Sequence, residues 1–186
     1  MKKSTATLAL TALAFATSTA FAAEPVIGLI TKTDSNPFFV KMKEGAEAAA
    51  KKGGAKLLSA AGKQDGDTAT QISAMENMVN AGAKTILITS SGDAIIPTIK
   101  KIQAQGVQVI ALDSPVEGAD ALFATNNYKA GELIGAYAKA AMKGKAPVIA
   151  AMDLFPGHPV GAQRHNGFLA GYGLKTLDAK SNELAQ

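Results

Sequence analysis

From Val26 onward, short β-branched or Leu-rich runs alternate with longer Ala-rich segments of helical period, and this rhythm restricts the fold more than any other feature of the chain. Val26–Thr31 is a continuous apolar run bounded by Pro25 on one side and by Lys32, Asp34, Ser35 and Asn36 on the other, the pattern of a fully buried strand. Residues 38–52 then place Phe38, Phe39, Met42, Ala46, Ala49 and Ala50 at helical spacing, opened by Pro37 and closed at Gly53 and Gly54. The unit repeats as strand 56–60, helix 68–80, strand 85–89, helix 94–105 and strand 107–112, with Gly82 and Gly106 at the helix ends, where a left-handed cap is needed. Strands separated by helices of this length require crossover connections. The predicted fold class is therefore α/β, a doubly wound parallel sheet with ligands at the carboxyl ends of its strands.

The polar stretch 114–120, with Pro115 and Gly118, breaks the rhythm. A short strand at 122–124, a helix at 129–142, a strand at 148–152 and a helix at 160–171 are predicted to follow, and a polar tail begins after Leu174.

The residues before this pattern read as a secretory leader. Lys2 and Lys3 form a positive head, an Ala/Leu stretch runs from Leu8 to Ala16, and Ala20-Phe21-Ala22 has small residues at its first and last positions. Cleavage is expected after Ala22. A membrane anchor would need about 20 apolar residues, and this stretch is too short and too rich in Ser and Thr. The formal net charge of +4 includes both leader lysines and no block of like charge occurs, so nucleic acid is not an expected partner. The absence of cysteine excludes a disulfide framework, a thiolate metal site and a Cys nucleophile.

Aromatic residues make up only 5% of the chain, which draws attention to the adjacent pair Phe38-Phe39 after Asn36. Asn36 can cap the helix while both rings are buried, or it can offer an amide beside two apolar faces at the ligand edge of the sheet. Asp113, after the strand 107–112, is either a turn former or a carboxylate accepting from two hydroxyls. Thr89 could add a hydroxyl from the neighbouring strand end. Arg164 is either a solvated side chain or a fork of donors aimed into a cleft. His158 and His165 have no clustered carboxylate in the sequence, so neither a metal site nor a cofactor is expected. No phosphate-binding loop, dinucleotide fingerprint or nucleophile elbow is present, and only Asp113 stands out as one of the two carboxylates that glycoside hydrolysis needs. Binding without chemistry is the expectation.

Several segments carry a resemblance: VIGLITKTDSNPFFVKMKEGAEAAAKKGGAKL, GDTATQISAMENMVNAGAKTILIT, VIALDSP, ATNNYKAGELIG and RHNGFLAGYG. In order and spacing the chain resembles the periplasmic sugar-binding proteins of the ribose-binding type, which serve ABC importers, and its wording is most similar to the fructose-binding branch. The resemblance implies a periplasmic monomer that takes a monosaccharide and delivers it to an inner-membrane permease or a chemoreceptor. It further implies that Asn36 hydrogen-bonds the sugar, Phe38 and Phe39 stack on it, Asp113 accepts from its hydroxyls and Arg164 donates from a second lobe. Thr89 stands where ribose binders have Asn, and Ser114 where they have Arg, which argues against ribose itself.

The implied organisation is a leader at 1–22, a first lobe at 23–125 and a partial second lobe at 126–186. Proteins of this type trap sugar by hinge closure of two complete lobes. The sequence therefore also admits an exported remnant that no longer binds. The effector domain of a sugar-responsive repressor shares the fold, but a leader stands here where such a repressor carries a helix-turn-helix.

Overall fold

The computed structural model describes residues 24–145, 148–155 and 158–176; the leader and the end of the polar tail lie outside these described residues. Strands β1 (Val26–Thr31), β2 (Lys56–Ala61), β3 (Thr85–Ile88), β4 (Gln108–Leu112) and β5 (Ala121–Phe123) form one parallel sheet of order β2-β1-β3-β4-β5. Helices α1 (Pro37–Gly53), α2 (Thr68–Asn80) and α3 (Ile96–Gln103) make the crossovers. The doubly wound parallel sheet expected from the periodicity is the observed one.

The order places the reversal of winding between β1 and β3. From β1 the chain moves outward to β2, then returns across β1 to start β3 and proceeds the other way. Right-handed crossovers thus put α1 on one face and α2 with α3 on the other. Ile30, Ile86, Ile88 and Val109 of the sheet pack with Met75 and Met78 of α2 and Ile99 and Ile102 of α3 in the main core. Side chains alternate along a strand, so buried Leu29 points to the α1 face, the face to which α1 contributes Phe39 and Ala50. Gly28 allows α2 to approach closely: a Cβ there would meet Met78 Sδ and Ile86 Cδ1 at 2.6 Å.

Local signals set the helix ends. Asn36 caps α1 by accepting from Phe38 N at 3.0 Å, Asp67 caps α2 by accepting from Thr70 N at 3.0 Å, and Asn126 caps the next helix by accepting from Lys129 N at 2.9 Å. Gly54, at φ 65°, takes the left-handed cap of α1, while Gly53 is still helical. The predicted helix 94–105 divides into a 3₁₀ turn, Asp93–Ile95, and α3, because Pro97 lies in the first turn of α3, where its missing N–H costs no hydrogen bond.

Beyond the sheet, α4 (Asn127–Ala141) and α5 (Pro159–Tyr172) pack against each other. The strand predicted at 148–152 does not form. A strand is made by its neighbours, and no described strand pairs with this segment; Val148 and Met152 are fully exposed. Leu133, Ile134 and Tyr137 of α4 are exposed as well. Among the described residues no helix is long and apolar enough to cross a membrane.

Candidate functional site

In a parallel sheet all carboxyl ends share one edge, and the crevice opens where the winding reverses. Here that point lies between Lys32, just past β1, and Thr89, just past β3. Gln71, fully buried on α2, fixes both strand ends: its Nε2 donates to Thr31 O at 3.1 Å and to Thr89 O at 2.9 Å, while its Oε1 accepts from Ser91 N at 2.9 Å.

Thr89 is fully buried, and its Oγ1 finds no hydrogen-bond partner among the described residues. A buried hydroxyl without a partner costs about 1–3 kcal/mol, so a ligand oxygen that satisfied it would gain correspondingly. Asp113, half-buried one strand further along, has φ 61°, a left-handed backbone uncommon outside glycine. The turn is tight: Ser114 N donates back to Leu112 O at 2.6 Å, and Ser114 Oγ donates to Asp113 Oδ2 at 3.2 Å. Strained backbone of this kind gathers at binding sites.

Lys32 joins them. Its side chain is 3% exposed, its Nζ lies 3.7 Å from Asp65 Oδ1, and it donates at 2.8 Å to Nε2 of His158. Burial pulls the Lys32 ammonium below its ordinary pKa, opposed by the nearby Asp65 and Asp113 carboxylates. His158 is likewise held below the ordinary imidazole value, by burial and then by the Lys32 charge, against the pull of Asp65 and Asp113. Arg164 also lies within electrostatic reach of His158. Its Nε donates at 2.8 Å to Oδ1 of buried Asn127, whose Nδ2 donates to Thr125 O at 3.1 Å. Charged groups from the first sheet and from α5 thus converge on one place.

The six residues singled out in the sequence are distributed unevenly around it. Asp113 and Arg164 lie within electrostatic reach of the Lys32–His158 pair, and Thr89 ends the strand beside the one that Lys32 follows. Asn36 is exposed and spends its Oδ1 on capping, which leaves its amide –NH₂ without a protein partner among the described residues. The two phenylalanines divide: their rings meet edge to face at 5.3 Å, but Phe38 is 53% exposed and Phe39 only 7%. Phe39 belongs to the α1 packing and lines a cavity with Thr31, Val40 and Ser59. Phe38 presents the more exposed ring of the two.

Sequence reasoning missed Lys32, Asp65, Asn127 and His158. Lys32 left one sign, a cation placed directly after a fully apolar strand. His158 and His165 have different partners: His165 pairs through Nδ1 with Asp153 Oδ2 at 2.5 Å and lines a cavity that Arg164 also borders, whereas His158 faces Lys32.

The fold and this edge define a doubly wound α/β protein of the kind that takes a small ligand at its switch point. Residues 27–184 match the periplasmic binding protein domain, and the chain belongs to that family. It is 33% identical to the ribose import binding protein of Bacillus subtilis over 78% of this chain and 48% of the relative. Among solved structures it is similar to an ABC transporter periplasmic solute-binding protein from Actinobacillus succinogenes with bound D-allose (TM-score 0.73, 27% identity, 83% of this chain and 58% of that one). It is also similar to the periplasmic component of an ABC-type sugar transport system from Hahella chejuensis (TM-score 0.73, 31% identity, 83% and 57%). The chain spans about half the length of the curated relatives it matches.

Proposed function

We propose that this chain binds a neutral monosaccharide at the β1/β3 edge, without catalysis, as the substrate-binding component of an ABC-type import system. The observation that carries the reading is the partnerless buried hydroxyl of Thr89 at the switch point, on the strand end between those of the buried ammonium, Lys32, and the carboxylate of Asp113. Sugar hydroxyls both donate and accept. A carboxylate can accept from two of them, while Lys32, Arg164 and the Asn36 amide can donate to their oxygens. Phe38 supplies an exposed flat face for the C–H side of the ring. The names of the relatives support the sugar class, and ABC import is carried over from them.

Fructose is the finer reading, resting on the wording of the sequence and on Thr89 and Ser114. A periplasmic location, a monomeric state, delivery to an inner-membrane permease or a chemoreceptor, and binding without hydrolysis belong to the same proposal. A thermal-shift titration of the chain with D-ribose, D-allose and D-fructose tests it, since a ligand of the folded state raises the melting temperature by mass action. A saturable shift with one sugar supports the reading. A cooperative melt that no sugar moves contradicts it and favours the non-binding remnant.

A further inference from the structure

His158 is the least exposed titratable group contributed by the segment that leads into α5, and its two nitrogens are in different situations. Nε2 lies 2.8 Å from Lys32 Nζ, and the ring is stacked edge to face against Phe155 with centroids 5.0 Å apart. Nδ1 is buried with no hydrogen-bond partner among the described residues. An ammonium has only donors, so the imidazole nitrogen facing it must present its lone pair. The single proton of the neutral ring is then on Nδ1. Lys32 thus fixes the tautomer, as a partner on one ring nitrogen does for the other.

We propose that His158 is a sugar-binding residue, a neutral imidazole whose Nδ1–H is held as a donor to a ligand oxygen because Lys32 makes Nε2 the acceptor. The inference rests on the monosaccharide reading of the same edge and adds a ligand group that is 126 positions from Lys32 in sequence. The charged groups around the ring are Lys32, Asp65, Asp113 and Arg164. Two of them are acceptors and two are cationic donors; Nδ1–H is the one neutral donor in the set. A hydroxyl or ring oxygen satisfies it.

The test uses the full chain with ¹⁵N-labelled histidine, which holds two imidazoles in all. Long-range ¹H–¹⁵N spectra of the ligand-free protein at pH 7.5, assigned with His158→Gln, should show the His158 ring neutral with Nδ1 protonated. A ring protonated on Nε2 overturns the inference. Saturation with whichever of D-ribose, D-allose and D-fructose binds should shift the Nδ1–H resonance, and His158→Ala should weaken binding about tenfold, the loss of one buried hydrogen bond. Saturable binding that leaves Nδ1–H unmoved and His158→Ala within twofold of the parent overturns the inference alone. Failure of all three sugars to bind overturns the sugar reading and the inference with it.

Discussion

The side-chain amide of Gln71 donates to the carbonyl oxygen of Thr89 at 2.9 Å, tying the middle crossover helix to the end of the third strand at the point where the winding reverses. The same amide reaches Thr31 O, and its oxygen takes Ser91 N, so one buried residue satisfies three backbone groups around the site. Gln71→Leu leaves Thr89 O and Ser91 N unpaired, while Thr31 O still accepts from Gly62 N at 3.1 Å. It should lower unfolding free energy by about 2–4 kcal/mol in urea denaturation, the summed penalty being reduced by partial relaxation.

A second prediction contrasts glycines. Gly131 and Gly135 of α4 and Gly167 and Gly171 of α5 bring two helix backbones together; a Cβ on Gly131 would run into the carbonyl of Arg164, and one on Gly167 into that of Tyr128. Gly45, on α1, has open space where a Cβ would stand. Alanine is the better helix former by about 1 kcal/mol. Gly45→Ala should therefore raise the melting temperature, whereas Gly131→Ala should lower stability by about 1–3 kcal/mol through overpacking.

Acid should weaken the fold through His158. Its folded pKa lies below the ordinary 6.5, so the stability its neutral form contributes is complete above that value. That contribution is lost as pH falls from 6.5 through the depressed value. Lys32 acts on the alkaline side. Its folded pKa lies below 10.5, so stability should rise as pH climbs from the depressed value to 10.5 and level off above it. Chemical denaturation across pH should show the acid loss reduced in His158→Gln and the alkaline rise absent in Lys32→Met.

The two adjacent phenylalanines should separate stability from binding. Phe39→Ala removes a buried ring from the α1 face and should cost about 3 kcal/mol of stability. Phe38→Ala removes a half-exposed ring and should leave the melting temperature within a few degrees while weakening sugar binding in calorimetric titration.

Periodicity revealed what is local. The order and type of β1 to α3 follow from where apolar residues recur, and capping chemistry at Asn36, Asp67 and Asn126 settles where helices begin. The segment 148–152 shows the limit, because an apolar run becomes a strand only beside another strand, and none of the described residues provides one. The site was half legible for a related reason. Thr89 and Asp113 follow strands and can be placed at the sheet edge by counting. The Lys32–His158 pair joins residues far apart in the chain, and no spacing rule points from one to the other. At Asn36 and Phe39 the structure adds a cap and a packed ring to the ligand roles that the resemblance implies.

The most direct test of the central claim, that a sugar sits at the β1/β3 edge, is amide chemical-shift mapping of the ¹⁵N-labelled chain during titration with the sugar that stabilises it. The account predicts saturable shifts concentrated at Lys32, Thr89, Ser90, Asp113 and Ser114, with His158 and Arg164 moving at the same concentrations. Shifts confined to the cavity lined by Ile149, Met152, Asp153, Arg164, His165 and Phe168, with the strand ends and His158 unmoved, would contradict it.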